Sequence, residues 1–244
     1  MKINIAEKKR QTKITILLYC FVTVSFLVPV AFLIFRLLTG SVSESEAGYH
    51  SKADYMLMLV QCVLGLVAIN LPTLLSRTLR FEIPMVLYGF YIVFLYCAIF
   101  LGEVRSFYYA IPYWDSILHG FSSLMLGFFG YMVIVILNRD IHIMISLSPL
   151  FAAVFAFCFA LSIGSMWEIY EYVFDGLLNL NMQKFITAEG QVLSGHAALG
   201  DTMKDLIIDA AGAAVSSVVG YFAVRKDKKW IQPTLIECTR KDDC

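Results

Sequence analysis

Charge is what this chain of 244 residues has least of: Asp, Glu, Lys and Arg together make up 16 % of it, where a soluble domain carries roughly 25 %. A water-facing surface over the whole chain is thereby excluded. Acidic and basic residues balance at 19 each, so there is no basic surface for nucleic acid. No CxxC pair occurs among the cysteines, which argues against a cysteine zinc site. Cys20, Cys62, Cys97 and Cys158 fall in apolar runs and read as small buried hydrophobes, while Cys238 and Cys244 lie in a charged tail. The ending Lys-Asp-Asp-Cys does not place its cysteine where prenylation needs it. Also missing are HExxH and GxSxG, and with them the common zinc-protease and serine-hydrolase signatures. No internal repeat and no low-complexity segment is visible.

In place of charge there are long hydrophobic runs, within a hydrophobic content of 59 %. A helix needs roughly 20 mostly apolar residues to cross about 30 Å of hydrocarbon. Six runs meet this, at about 14–35, 55–75, 83–101, 114–137, 148–174 and 201–222. The expected fold is all-α, a polytopic transmembrane helical bundle forming a single membrane domain over 1–244, with a tail over 225–244. The first run follows Lys8, Lys9, Arg10 and Lys13 but is longer than a signal-peptide core, so a retained helix is expected.

Lysine and arginine placement orients the bundle. Lys2, Lys8, Lys9, Arg10, Lys13, Arg77, Arg80, Arg139, Arg225, Lys226, Lys228, Lys229, Arg240 and Lys241 fall on one side. The other side holds only Arg36, Lys52, Arg105 and Lys184. Both termini and the tail are therefore expected in the cytoplasm. Of the outer loops, 36–54 and 175–200 are long, and the second has room for a short helix or a lid. Tyr108, Tyr109, Tyr113, Trp114, Trp167, Tyr170 and Tyr172 gather near the outer interface, as an aromatic belt does.

Ionisable residues inside a membrane are costly, at least about 2.5–3.5 kcal/mol near the centre on insertion scales. Three helix ends carry them. Asp115 and His119 are four residues apart and share a face, with Pro112 suited to the first turn of their helix. Glu168 and Glu171 are neighbours on the fifth span. Asp201, Asp205 and Asp209 form a stripe about 12 Å long at the start of the sixth. Topology brings all three to the outer half. The inner halves of these helices carry no Asp, Glu, His, Lys or Arg, so the pattern predicts one pocket open outward and closed inward.

Helix-terminal dipoles account for Asp115 and Asp201 without a site, and Lys204 reads as an ion-pair partner of Asp201 or Glu171. Glu168, Asp205 and Asp209 lie too far inside for that explanation. Crowded carboxylates repel, so either a cation sits among them or some hold protons. The donors suit a divalent metal such as magnesium, manganese or zinc, with Asp115, His119, Glu168, Asp201, Asp205 and Asp209 as candidate ligands. Asp115, His119, Glu168, Glu171 and Asp205 are the candidate catalytic groups, one of them alternatively serving as a protonated acid. Ala210, Ala211, Gly212, Ala213, Ala214, Ser216, Ser217 and Gly220 below the stripe suit close helix packing against Gly120, Gly127 and Gly130.

The motif order resembles the VanZ-like superfamily: Asp115 and His119 match its first motif with Ser116 in place of lysine. Glu168 matches its second with Glu171 in place of glutamine. Asp205 and Gly212 match its third with Asp209 in place of asparagine. The closer resemblance, over about 101–221, is to YjdF-type bacterial inner-membrane proteins, on Trp114-Asp115 with His119, Glu168 with Glu171, and Asp201-Thr202 with Asp205. That resemblance implies a multi-pass protein of the bacterial cytoplasmic membrane and supplies no reaction. Three functions compete. One is an enzyme, a metal-dependent hydrolase or transferase acting on a lipid-linked or cell-envelope substrate. Another is a non-catalytic binding or accessory protein of the envelope or glycopeptide-antibiotic resistance type. The third is a proton or cation transporter, which the uncharged inner halves disfavour.

Overall fold

The chain is described from a computed structural model, which covers residues 5–39, 52–78, 83–137, 147–187 and 190–226. The basic residues Arg80 and Arg139, Cys238 and Cys244, most of the first long loop and nearly all of the expected tail lie outside the described residues. Among the described residues the regular elements are helical, apart from one isolated bridge between Ile186 and Val192. They are α1 (Ile5–Leu38), α2 (Lys52–Ala68), α3 (Leu71–Thr78), α4 (Met85–Leu95), a π-helical segment (Tyr96–Val104), the single turn α5 (Phe107–Ala110), α6 (Trp114–Leu137), α7 (Pro149–Leu178) and α8 (His196–Lys226). Six stretches are long and apolar enough to cross a membrane: Arg10–Arg36, Tyr55–Thr78, Met85–Val104, Trp114–Ile134, Pro149–Leu178 and His196–Lys226.

Several boundaries differ from the sequence expectation. The second span is two helices broken after Ala68, and the freed carbonyls are met by side chains: Tyr91 Oη donates to Ala68 O at 2.8 Å and Asn70 Nδ2 to Leu66 O at 2.9 Å. Tyr19 in turn donates to Asn70 Oδ1 at 3.0 Å. Hydrocarbon offers no water to satisfy such groups, so a break survives only where protein supplies the partners. The fifth span continues to Leu178 and the sixth begins at His196, so Glu168 and Asp201 sit deeper within their helices than expected. Pro112 belongs to the turn before α6 and not to its first helical turn, because Tyr113 at φ 61 intervenes. Of the cysteines expected to be buried, Cys62 is, whereas Cys20 and Cys158 are exposed on the bundle surface, where lipid accepts a thiol as readily as the interior does.

Two groups of helices result. In the first, α1, α2, α4 and the π-helical segment close around Val22, Phe26, Cys62, Ile69, Ile92, Leu95 and Ile99. In the second, α6, α7 and α8 pack mutually. A cavity of about 310 Å³ lined by apolar groups lies between the two, bounded by Leu75, Leu87, Met125, Phe129, Phe159 and Ile163 among others.

The second group depends on small residues. A Cβ on Gly127 would strike Ser216, one on Gly212 would strike Ser123, and one on Gly220 would strike the Tyr131 ring. Gly130 instead meets Ala156 of α7, so only part of the glycine face of α6 answers α8. Below the polar stretch, Tyr131 Oη donates to Ser217 O at 2.6 Å and Ser217 Oγ to Ala153 O at 2.7 Å, tying all three helices together. With no hydrophobic force between helices inside lipid, this contact and hydrogen bonding hold the group together.

Gly127→Ala is expected to destabilise the purified protein by about 1–3 kcal/mol through overpacking. Gly89→Ala, where the added carbon meets nothing within 4 Å, should be neutral or gain up to about 1 kcal/mol in helix propensity. Thermal melting in detergent compares them, and equal melting temperatures would show that the α6–α8 approach is not tight.

Candidate functional site

The polar site is assembled where α6 begins, α7 nears its end and α8 begins. Asp115 lies in the first turn of α6 and His119 one turn further in. Glu168 and Glu171 project from α7, and the aspartate stripe of α8 is progressively buried: the Asp201 side chain is 21 % exposed, Asp205 2 % and Asp209 1 %. Intervals of three and four keep each set on one helix face, so three faces suffice to converge the groups.

His119 is the hub. Its Nδ1 lies 3.2 Å from Asp209 Oδ2. The ring nitrogen and the carboxylate oxygen are within hydrogen-bond distance, the direction of the bond being set by the tautomer of the ring. The other edge of the ring faces two more carboxylates, with Nε2 3.6 Å from Glu168 Oε1 and 3.8 Å from Asp115 Oδ1. Donor atoms of Asp115, His119 and Asp205 all lie within 4.8 Å of one another. Five of the residues singled out in the sequence therefore share one site: Asp115, His119, Glu168, Asp205 and Asp209. Gly164 of α7 makes the hub possible, since a Cβ there would strike the Asp209 carboxylate.

Glu171 and Asp201 stand nearer the mouth. Glu171 is buried, and its Oε1 accepts from Trp167 Nε1 at 3.0 Å. Asp201 pairs with Lys204 at 3.3 Å, at an exposed position where such a pair is worth little. The expected ion pair of Lys204 is thus with Asp201 and not with Glu171.

Several buried oxygens in this cluster have no hydrogen-bond partner among the described residues: both of Glu168, Oδ1 of Asp205 and Oδ1 of Asp209. Leaving a buried polar atom unmatched costs about 1–3 kcal/mol, more if charged. These oxygens belong to residues of the same cluster, Asp205 in the group with Asp115 and His119, and Glu168 and Asp209 beside the His119 ring.

The loop between α7 and α8 forms the roof. It contains no helix among its described residues; it is held by side chains. Asp175 accepts from the backbone N–H of Met182 at 2.7 Å and of Gln183 at 2.9 Å. Asn181 pairs with both backbone groups of Ile186, and Gln183 Nε2 donates to Thr202 Oγ1 at 2.8 Å. Leu180 and Met182 are buried against Leu57, Tyr170 and Phe174. From this loop Lys184 reaches over the Tyr108 ring, 4.5 Å from its centroid, and donates to Met182 O at 2.7 Å. Burial alone would lower the pKa of this ammonium, but the field of Asp115, Glu103 and Glu171 outweighs it and holds the pKa above the ordinary lysine value. Burial raises the Tyr108 phenol well above its usual value, and the same carboxylates add to this.

Lys184, Glu103, Tyr108, Trp167, Gly164 and Asp175 were not singled out in the sequence as site residues. Lys184 carried one signal, being the lone lysine of an outer loop facing three acidic helix ends. Tyr108 and Trp167 were hidden among interface aromatics, and Gly164 had no signal, because its role depends on which side chain of α8 lies opposite.

Six apolar helices, three of which bring together a buried carboxylate–histidine cluster, define an integral membrane protein. The chain belongs to the family described as predicted membrane protein (DUF2238), which matches residues 30–226. An uncharacterized protein of Thermotoga maritima is 30 % identical over 122 residues, covering 50 % of this chain and 54 % of that relative. The chain thus spans about half the length of the relative it matches. No solved structure matches. Neither match carries a reaction, so function has to be argued from the site.

Asp175→Ala should free the roof: two backbone N–H groups lose their acceptor, and amide exchange of Met182 and Gln183 is expected to rise at least about tenfold. Unchanged exchange measured by mass spectrometry would mean that the loop is held by other contacts.

Proposed function

We propose that the cluster binds one divalent cation in the outer half of the bacterial cytoplasmic membrane. We further propose that the protein is a metal-dependent hydrolase or transferase acting on the headgroup of a lipid-linked or cell-envelope substrate. The observation that carries this reading is the approach of Asp115, His119 and Asp205 donor atoms to within 4.8 Å of one another, beside buried carboxylate oxygens that lack partners. Ligand atoms about 2.0–2.2 Å from zinc or magnesium lie at most about 4.4 Å apart. Small side-chain movements therefore close the set around an ion. Two carboxylates and one imidazole suit magnesium, manganese or zinc.

The roles follow from geometry. Asp115, His119 Nε2 and Asp205 are the ligands. Asp209 acts through the other ring nitrogen, fixing the tautomer that leaves Nε2 free to bind, the arrangement typical of metal-ligating histidines. Glu168, beside Nε2 and without a partner, takes the proton from an attacking water or hydroxyl and returns it to the leaving group. A bound divalent ion would supply Lewis acidity toward the substrate. Glu171 and Asp201 take no ligand role in this reading, being engaged with Trp167 and Lys204.

The outward side is argued from the lysine and arginine asymmetry. The Tyr131–Ser217–Ala153 contacts and the glycine packing below the site support a pocket without an inner exit, and so weigh against a transporter. The motif order shared with YjdF-type and VanZ-like proteins supports an envelope role. A binding or accessory protein would use the same cation and roof but would have no use for Glu168 as a base.

Purified protein is expected to bind about one Mn²⁺ per chain, followed by electron paramagnetic resonance. Asp115→Ala, His119→Ala and Asp205→Ala should abolish binding. Asp209→Ala, which acts through the histidine, should weaken it about 10–100-fold, and Gly164→Ala should do the same by pushing the Asp209 carboxylate away. Glu168→Gln should keep the ion. No binding even at millimolar Mn²⁺ would overturn the reading.

A further inference from the structure

We propose that Lys184 and the cation site beneath it form a two-sided subsite for a phosphate group, so that the substrate class is a phosphorylated headgroup. This deepens the metal reading and rests on it.

The first observation is a gap. Asp115, Glu103 and Glu171 all act on the Lys184 charge, yet the ion pairs among the described residues include none from its ammonium to Asp115 or Glu171. A lysine placed only to neutralise the acidic cluster would close on one of them, as Lys204 closes on Asp201 at 3.3 Å. Lys184 Nζ instead has one protein acceptor, Met182 O, and rests on the Tyr108 face. An ammonium carries three donors, and Met182 O takes one of them.

The second observation is the backbone. Lys184 adopts φ 52, the left-handed region that glycine enters at no steric cost and bulky residues rarely do. The loop is stapled on both sides of this position by Asp175, Asn181 and Gln183. A position suited to glycine thus holds a lysine, on a rigid support, with its charge over the mouth of the site.

The third observation lies below. Glu168, 5 % exposed and 3.6 Å from His119 Nε2, has two oxygens without a hydrogen-bond partner among the described residues, and Asp205, 2 % exposed, has one. A lone anion would be repelled by these groups. With a divalent ion on Asp115, His119 and Asp205, an anion entering between that ion and Lys184 meets a cation on either side, and a tetrahedral oxyanion with several acceptor oxygens bridges the two. Phosphate satisfies both partners with charge-assisted bonds.

The test uses full-length protein loaded with Mn²⁺, whose paramagnetism broadens the ³¹P resonance of any phosphate bound next to it. One arm titrates inorganic phosphate into protein in maltoside micelles, and the other places the protein in nanodiscs containing phosphatidic acid. Broadening in the first arm identifies a free phosphate as sufficient, and broadening confined to the second identifies a lipid headgroup; either supports the subsite. Lys184→Gly, which the backbone accepts without strain, and Lys184→Gln should raise the Kd for the anion at least about tenfold, while Lys184→Arg restores it. Mn²⁺ affinity should not weaken in any of the three. An anion Kd indifferent to Lys184, or no broadening in either arm, overturns the subsite and leaves the metal reading standing. Absence of Mn²⁺ binding by the unsubstituted protein overturns both.

Discussion

Buried carboxylates around a single imidazole inside a bilayer are the constraint on which the rest of this structure depends. Each ionised group brought out of water carries a penalty that hydrocarbon cannot offset. His119 answers part of it by bonding Asp209 on one edge and facing Asp115 and Glu168 on the other. For one ring to reach groups from three helices, those helices must come unusually close. The glycine and serine contacts of α6 with α8, and the bare face of Gly164 on α7, provide that approach. The small-residue packing and the polar cluster are therefore one device.

That device has a floor and a roof of different character. The floor is tied by Tyr131, Ser217 and Ala153 through hydrogen bonds that stay within the protein. The roof is a loop outside the spans, where side chains such as Asp175 and Asn181 take over the work that a helix or sheet ladder would do for the backbone. Polar contacts of this sort are directional, and they hold the segment that carries Lys184, whose ammonium rests on the Tyr108 ring. A closed floor with a polar roof suits a site reached from the membrane surface.

The legible and illegible parts of the site divide along a physical line. Asp115 with His119, Glu168 with Glu171, and the stripe Asp201, Asp205, Asp209 were readable because helical periodicity alone places each set on a face. Their convergence on one end followed from counting spans. The depth of Asp201 was misjudged because α8 begins at His196, in a segment whose helix propensity competes with that of an ordinary loop. The bond from Trp167 to Glu171 was not legible, because Trp167 has a good alternative explanation as an interface aromatic.

Sequence by itself determined the class of this protein: six long apolar runs, an uneven lysine and arginine distribution, and acidic groups clustered at one end of three of those runs. Each of these is set by local composition or by position along the chain, and needs no knowledge of neighbours. Tertiary structure alone decided which nitrogen of His119 meets which carboxylate, why Gly164 must lack a side chain, and that Lys184 stands over the site. Those are contacts between residues far apart in the chain. Their energies depend on tenths of an ångström in helix separation, a quantity that no periodicity in the sequence encodes.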